Sequence, residues 1–182
     1  MMRTLEKIGE EIEKCPECKK NKFGLPVSGE GNPNAKIMFI GEAPGREESK
    51  TGRPFVGRAG KLLTELLDSI GIKREEVFIT SPVKYYPGKR KLTTKEILHG
   101  RKHLLKQISV IKPKLIVALG NVALKALFPD KKLSITKIHG ESIYADKIYF
   151  PTFHPAAALR FPKIKKLIKK DFCKLKKIIK EL

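Results

Sequence analysis

The sequence predicts an α/β fold of three layers, with a four-stranded parallel sheet between helices. Two observations predict it. Four short apolar runs, "KIMFI" (36–40), "EVFIT" (76–80), "KLIVAL" (114–119) and "KIYFPTF" (147–153), alternate with segments of helical period. Strands that alternate with helices form parallel sheets covered on both faces. The second observation concerns the residues directly after each run: "GEAPG" (41–45), "SPVK" (81–84), "GN" (120–121) and "HPAAALR" (154–160). Such sheets bind ligands beyond the carboxyl ends of their strands, and the unusual residues of this chain collect there.

Along the chain, residues 3–14 have the spacing of a short amphipathic helix, and 36–40 form the first buried strand. In "VGRAGKLLTELLDSIGI" (56–72), Leu62, Leu63, Leu66, Leu67 and Ile70 share one helical face, and Gly71 stops the helix. The second strand is 76–80. A helix over 93–111 has a threonine cap and ends before Pro113. The third strand is 114–119, with a short helix after it over 121–128, and the fourth is 147–153. Residues 162–182 read as a long basic amphipathic helix with Cys173 on its buried face. No repeat or linker divides the chain, so 1–182 is read as a single domain.

Lys and Arg number 39 against 19 Asp and Glu, a net charge of +20. This excess fits a polyanionic partner, most simply nucleic acid. Dominance of lysine over arginine is also a signal of growth at high temperature. No apolar run reaches the length of a membrane span, and the charged N-terminus does not resemble a signal peptide. A cytoplasmic location is expected, where Cys-x-x-Cys points to metal or redox chemistry.

In "GEAPGREESKTGRPFVGRAG", Gly41, Gly45, Gly52, Gly57 and Gly60 allow backbone to approach a flat or charged ligand. The spacing matches neither a Walker loop nor GxGxxG, so no nucleotide cofactor is expected. Phe55 is either a core aromatic or a platform for a base, worth about 1–3 kcal/mol of stacking. His154, between a strand and a proline, is held at the same edge and is the candidate catalytic residue.

The motifs "GEAPGREE", "TGRPFVGRAG", "VALG" and "TFHPAAALR" resemble the family-four, thermophile-type branch of the uracil-DNA glycosylase superfamily. The resemblance implies monomeric base-excision repair of DNA, with a flipped uracil hydrolysed from its sugar and no cofactor in the chemistry. It implies His154 as the donor to uracil O2, with Glu42, or Glu48 as second choice, as the acidic residue that orients water or stabilises the sugar cation. Base binding falls to Gly41, Ala43, Phe55 and Ser81. DNA binding falls to Gly45, Arg58, Lys84, Ala156, Leu159 and Arg160, with Leu159 and Arg160 filling the gap in the duplex.

The chain departs from the family twice. Ser81 stands where the family has asparagine, which reads both the O4 and N3–H edges of uracil. Another deaminated base, hypoxanthine or xanthine, is therefore an alternative substrate, and a non-catalytic protein that binds damaged DNA is an alternative of another class. The family also holds a four-iron–four-sulfur cluster on four cysteines. Cys15 and Cys18 match the first pair, but Tyr85 and Gly100 occupy the other two positions, so the cluster is expected to be absent. His99 and His103, at i and i+4 on one helix, complete a zinc set in composition. The alternatives are zinc on Cys15, Cys18, His99 and His103, or no metal, with Tyr85 packed into the vacated space.

Overall fold

A computed structural model describes residues 4–182; Arg3, the expected start of the first helix, lies outside them. That helix, α1 (Leu5–Lys14), is capped by Thr4, whose Oγ1 accepts from Lys7 N at 3.3 Å. The next helix is α2 (Pro16–Lys19).

The sheet has six strands in the order β1-β3-β2-β4-β6-β5. Four are the expected ones: β2 (Ile37–Ile40), β3 (Phe78–Thr80), β4 (Leu115–Leu119) and β6 (Ile148–Thr152). They are parallel, with Phe39 beside Val117 and Val117 beside Phe150. Both faces of β2 and β4 are buried, which is why their sequences are continuously apolar rather than alternating. The edges carry two further strands, β1 (Glu30–Gly31) against β3 and β5 (Ile143–Tyr144) against β6, both antiparallel. With two residues each and no apolar run, they have no strand signature.

One helical layer holds α4 (Arg58–Ser69), α8 (Pro155–Arg160) and α9 (Pro162–Lys180), which pack on one another. The other holds α1 and α2 with α5 (Thr94–Ile111) and α6 (Asn121–Leu127). Two short helices, α3 (Arg46–Thr51) and α7 (Ile135–Ile138), lie in connections. The leucine stripe of α4 and Ile70 are buried as expected. Thr93 caps α5 in a reciprocal box: its Oγ1 accepts from Glu96 N at 3.2 Å, and Glu96 Oε2 accepts from Thr93 N at 2.9 Å.

The α9 expectation needs correction. Its buried stripe is Ile168, Phe172 and Leu175, with Asp171 beside them, and Cys173 is exposed. One residue is about 100° of helix, enough to carry Cys173 off the core side. Asp171, only 2% exposed, accepts from Thr152 Oγ1 at 2.7 Å and pairs with His139 Nδ1 at 3.0 Å. This network ties the basic helix to the end of β6, two residues before His154. Besides the main core, Ile8, Ile12, Cys18 and Tyr85 form a separate small cluster.

Candidate active site at the carboxyl edge of the sheet

A cleft of about 770 Å³ opens at the carboxyl ends of the parallel strands. Its walls take Glu42 to Gly45 after β2, Ser81 after β3, His154 after β6, and Pro54 and Phe55 from the glycine-rich loop.

His154 lies two residues beyond the end of β6 and is the N-cap of α8. Its Nδ1 accepts from Ala156 N at 3.1 Å. An acceptor nitrogen carries no proton, so in the neutral ring the proton is on Nε2. Burial pushes the imidazole pKa down to about 4, against a smaller opposing pull from Glu48. The site therefore holds a neutral imidazole with one N–H to offer.

Phe55 stacks on His154, with ring centroids 5.5 Å apart and planes at 28°. Its backbone has φ 51°, a strained conformation for a residue with a Cβ. Three features hold it there. Arg74 donates to Phe55 O at 3.1 Å and to Pro54 O. Glu48 Oε1 accepts from Val56 N at 2.9 Å and from Gly57 N at 2.8 Å. Gly60, in the first turn of α4, packs so closely that a Cβ there would stand 1.8 Å from Phe55 O. Gly41 serves the same contact from below: a Cβ would lie 2.7 Å from two Phe55 ring carbons and 3.6 Å from His154 Nε2.

Glu42 stands exposed to the open cleft. Neighbouring atoms strip part of its solvation and raise its carboxyl pKa, which Arg160 partly offsets. Ser81 lines the floor and is buried, and its hydroxyl donates to Val83 O at 2.7 Å. With its one proton used in the turn, Oγ faces a ligand as an acceptor only.

The sequence profile of the uracil DNA glycosylase superfamily matches residues 28–182. The chain is 46% identical to the type-4 uracil-DNA glycosylase of Sulfurisphaera tokodaii, over 97% of this chain and 86% of that one. It is 46% identical to the type-4 enzyme of Saccharolobus solfataricus, over 98% and 88%. Identity to the type-4 enzyme of Thermotoga maritima is 45%, over 97% and 95%. The chain belongs to the uracil-DNA glycosylase superfamily.

In this member of the superfamily the cleft gathers Gly41, Glu42, Ala43, Gly45, Glu48, Phe55, Ser81, His154, Ala156 and Arg160 in or directly beneath its walls. Arg58 and Leu159 are exposed nearby in sequence but are not part of the lining. Lys84 is a correction: it is 1% exposed and unable to reach DNA. Its Nζ donates to Thr80 Oγ1 at 2.7 Å, Gln107 Oε1 at 2.8 Å and Ser28 O at 3.2 Å, and burial pushes its ammonium down to about 7. It braces the strand end beneath the cleft.

Sequence reasoning missed the opposite wall, Tyr86 to Arg90, and the exposed Phe161 between α8 and α9. The turn "YYPGKRK" has a Pro-Gly pair and then clustered basic residues, a signal that points to a phosphate-facing loop. Arg90 is tied to Glu96 at 2.6 Å, and Glu96 also pairs with Lys22 at 3.0 Å, which pins the base of this wall. Cys15, Cys18, His99 and His103 come together, as the resemblance implied, with one donor atom of each within 4.8 Å of the others.

Among the described residues no helix is long and apolar enough to cross a membrane.

Proposed function

We propose that this chain is a monofunctional DNA glycosylase that flips uracil out of DNA, hydrolyses its N-glycosidic bond and leaves an abasic site. The observation that carries this reading is the neutral His154, its tautomer set by Ala156 N–H and its ring stacked on Phe55 at the cleft. The type-4 names of relatives at 45–46% identity support the same substrate.

The extruded base stacks on Phe55, which offsets part of the cost of leaving the duplex. As the bond from the sugar to N1 breaks, its electrons move into the base and negative charge grows on uracil O2. The Nε2–H of His154 donates to that oxygen. A preplaced donor helps most where charge develops in the transition state. Water then adds to the sugar carbon, oriented by Glu42 on the cleft rim, and the proton it loses goes to the uracil anion, so the products are a sugar hydroxyl and neutral uracil. Glu48 works through the loop it holds and is a positioning residue. Gly45, Arg58 and Ala156 contact the DNA backbone, while Leu159 and Arg160, joined here by the exposed Phe161, fill the space left by the flipped nucleotide. The chain acts as one domain and as a monomer in the cytoplasm, and no cofactor enters the chemistry.

Incubation with a single-uracil duplex, and then alkali, tests the reading: strand cleavage at the uracil is expected, and an intact strand overturns it. One observation favours a wider range. Ser81 donates to Val83 O, so its hydroxyl can accept from uracil N3–H but has no proton left for O4. The edge of the base is half read, which admits hypoxanthine or xanthine. Ser81→Asn should raise the ratio of uracil to hypoxanthine excision; an unchanged ratio would take position 81 out of base reading.

A further inference from the structure

The four-iron cluster of the resembling family does not fit this chain. Gly100, at the fourth cysteine position, packs its Cα against the backbone of residue 82: a Cβ would lie 2.1 Å from Pro82 O and 2.7 Å from Pro82 C. Position 100 has no room for any side chain. Tyr85, at the third position, is 2% exposed and packs with Ile8, Ile12 and Cys18. The ring fills the space beside the remaining thiols.

We infer that Cys15, Cys18, His99 and His103 hold a single zinc ion in a closed tetrahedral site. The donors come from two rigid pieces. Cys15 caps α2 and Cys18 lies within it, while His99 and His103 sit one turn apart on α5. Cys15 Sγ already stands 3.2 Å from His99 Nε2, and all four donors lie within 4.8 Å of one another. Around zinc, bonds of about 2.3 Å to sulfur and 2.0–2.1 Å to nitrogen put tetrahedral donors roughly 3.3–3.8 Å apart. The set closes onto one ion by small side-chain adjustments. A cubane would instead bind each donor to its own iron, which needs donors spread around a cluster rather than drawn together.

Unsatisfied polar atoms mark the same place. Among the described residues, the buried side-chain atoms with no hydrogen-bond partner are His103 Nδ1, on one of the four donor residues, and Tyr85 Oη, on a ring packed with Cys18. Buried polar groups are normally paired, and His103 is 7% exposed. Two thiolates and two neutral imidazoles balance a divalent ion, leaving a buried site without net charge. With four protein ligands and no open position, the ion is structural. It would fasten α1 and α2 to α5, whose Gly100 backs directly onto the loop leading to the cleft wall at 86–90.

The test is metal analysis of the full-length chain, which reads the ion independently of uracil excision. One zinc per chain is expected, with no stoichiometric iron or acid-labile sulfide. His103→Ala and Cys15→Ser should each lose it, and Cys173→Ser, at an exposed position of α9, should keep it. Because a ligand variant can fail to fold, cobalt(II) is also added to the metal-stripped wild-type chain. Visible bands of tetrahedral intensity with thiolate-to-cobalt charge transfer are expected. Four irons per chain, an absence of bound metal, zinc retained by His103→Ala, or an octahedral cobalt spectrum would each overturn the inference.

Discussion

At the scale of single residues, His154 shows how a backbone bond sets chemistry. Ala156 N–H occupies Nδ1, burial disfavours the imidazolium, and the pKa falls to about 4 from an ordinary value near 6.5. A depressed pKa keeps the ring neutral from neutral pH down to about 4, so the Nε2–H donor persists through the range where a free histidine would change charge. Glu42 is displaced the other way, its carboxyl raised by lost solvation, and it gains its proton earlier as pH falls. An acid limb in the single-turnover profile at higher pH than an ordinary carboxylate would give therefore belongs to Glu42 and should vanish in Glu42→Gln. A limb near pH 6.5 that survives this substitution would contradict the neutral histidine. His154 is legible from its place between a strand and a proline. The role of Lys84 is not, because a lysine after a strand has the signature of a surface residue. Its three oxygen partners come from Ser28, Thr80 and Gln107, and nothing local to "SPVK" announces them.

At the scale of elements, the four central strands are legible because burial on both faces makes them apolar without interruption. The edge strands β1 and β5 are not, since two half-exposed residues leave no pattern. The helices α3 and α8 lie inside motifs whose glycines and prolines read as loop; only Pro155, at the first helical position with His154 as cap, hints at α8. The first turn of α4 carries the most specific demand in the fold. Gly60 abuts the Phe55 carbonyl, and that contact helps hold Phe55 at φ 51° beside His154. Gly60→Ala would push the loop outward and displace the ring. Misplacement on the order of 1 Å can cost about 10²-fold in rate, so single-turnover excision should fall by about that factor while the far-ultraviolet circular dichroism stays native. An excision rate equal to wild type would show that the close contact does not position Phe55.

At the scale of the whole molecule, binding and chemistry separate. A net charge of +20 should draw DNA phosphates from all over the surface, the lysines of α9 included, none of which lines the cleft. Affinity should therefore fall steeply with salt and depend little on any one residue at the strand ends. On the proposed function, chemistry is confined to the carboxyl edge, where His154, Phe55 and Glu42 line one cleft. The measurement that tests this division most directly is single-turnover release of uracil from a single-uracil duplex by the wild-type chain and by His154→Ala, with DNA affinity measured on the same preparations. Loss of one preplaced donor should slow release by about 10²–10³-fold and leave affinity and its salt slope unchanged. A variant that releases uracil at the wild-type rate would contradict the account.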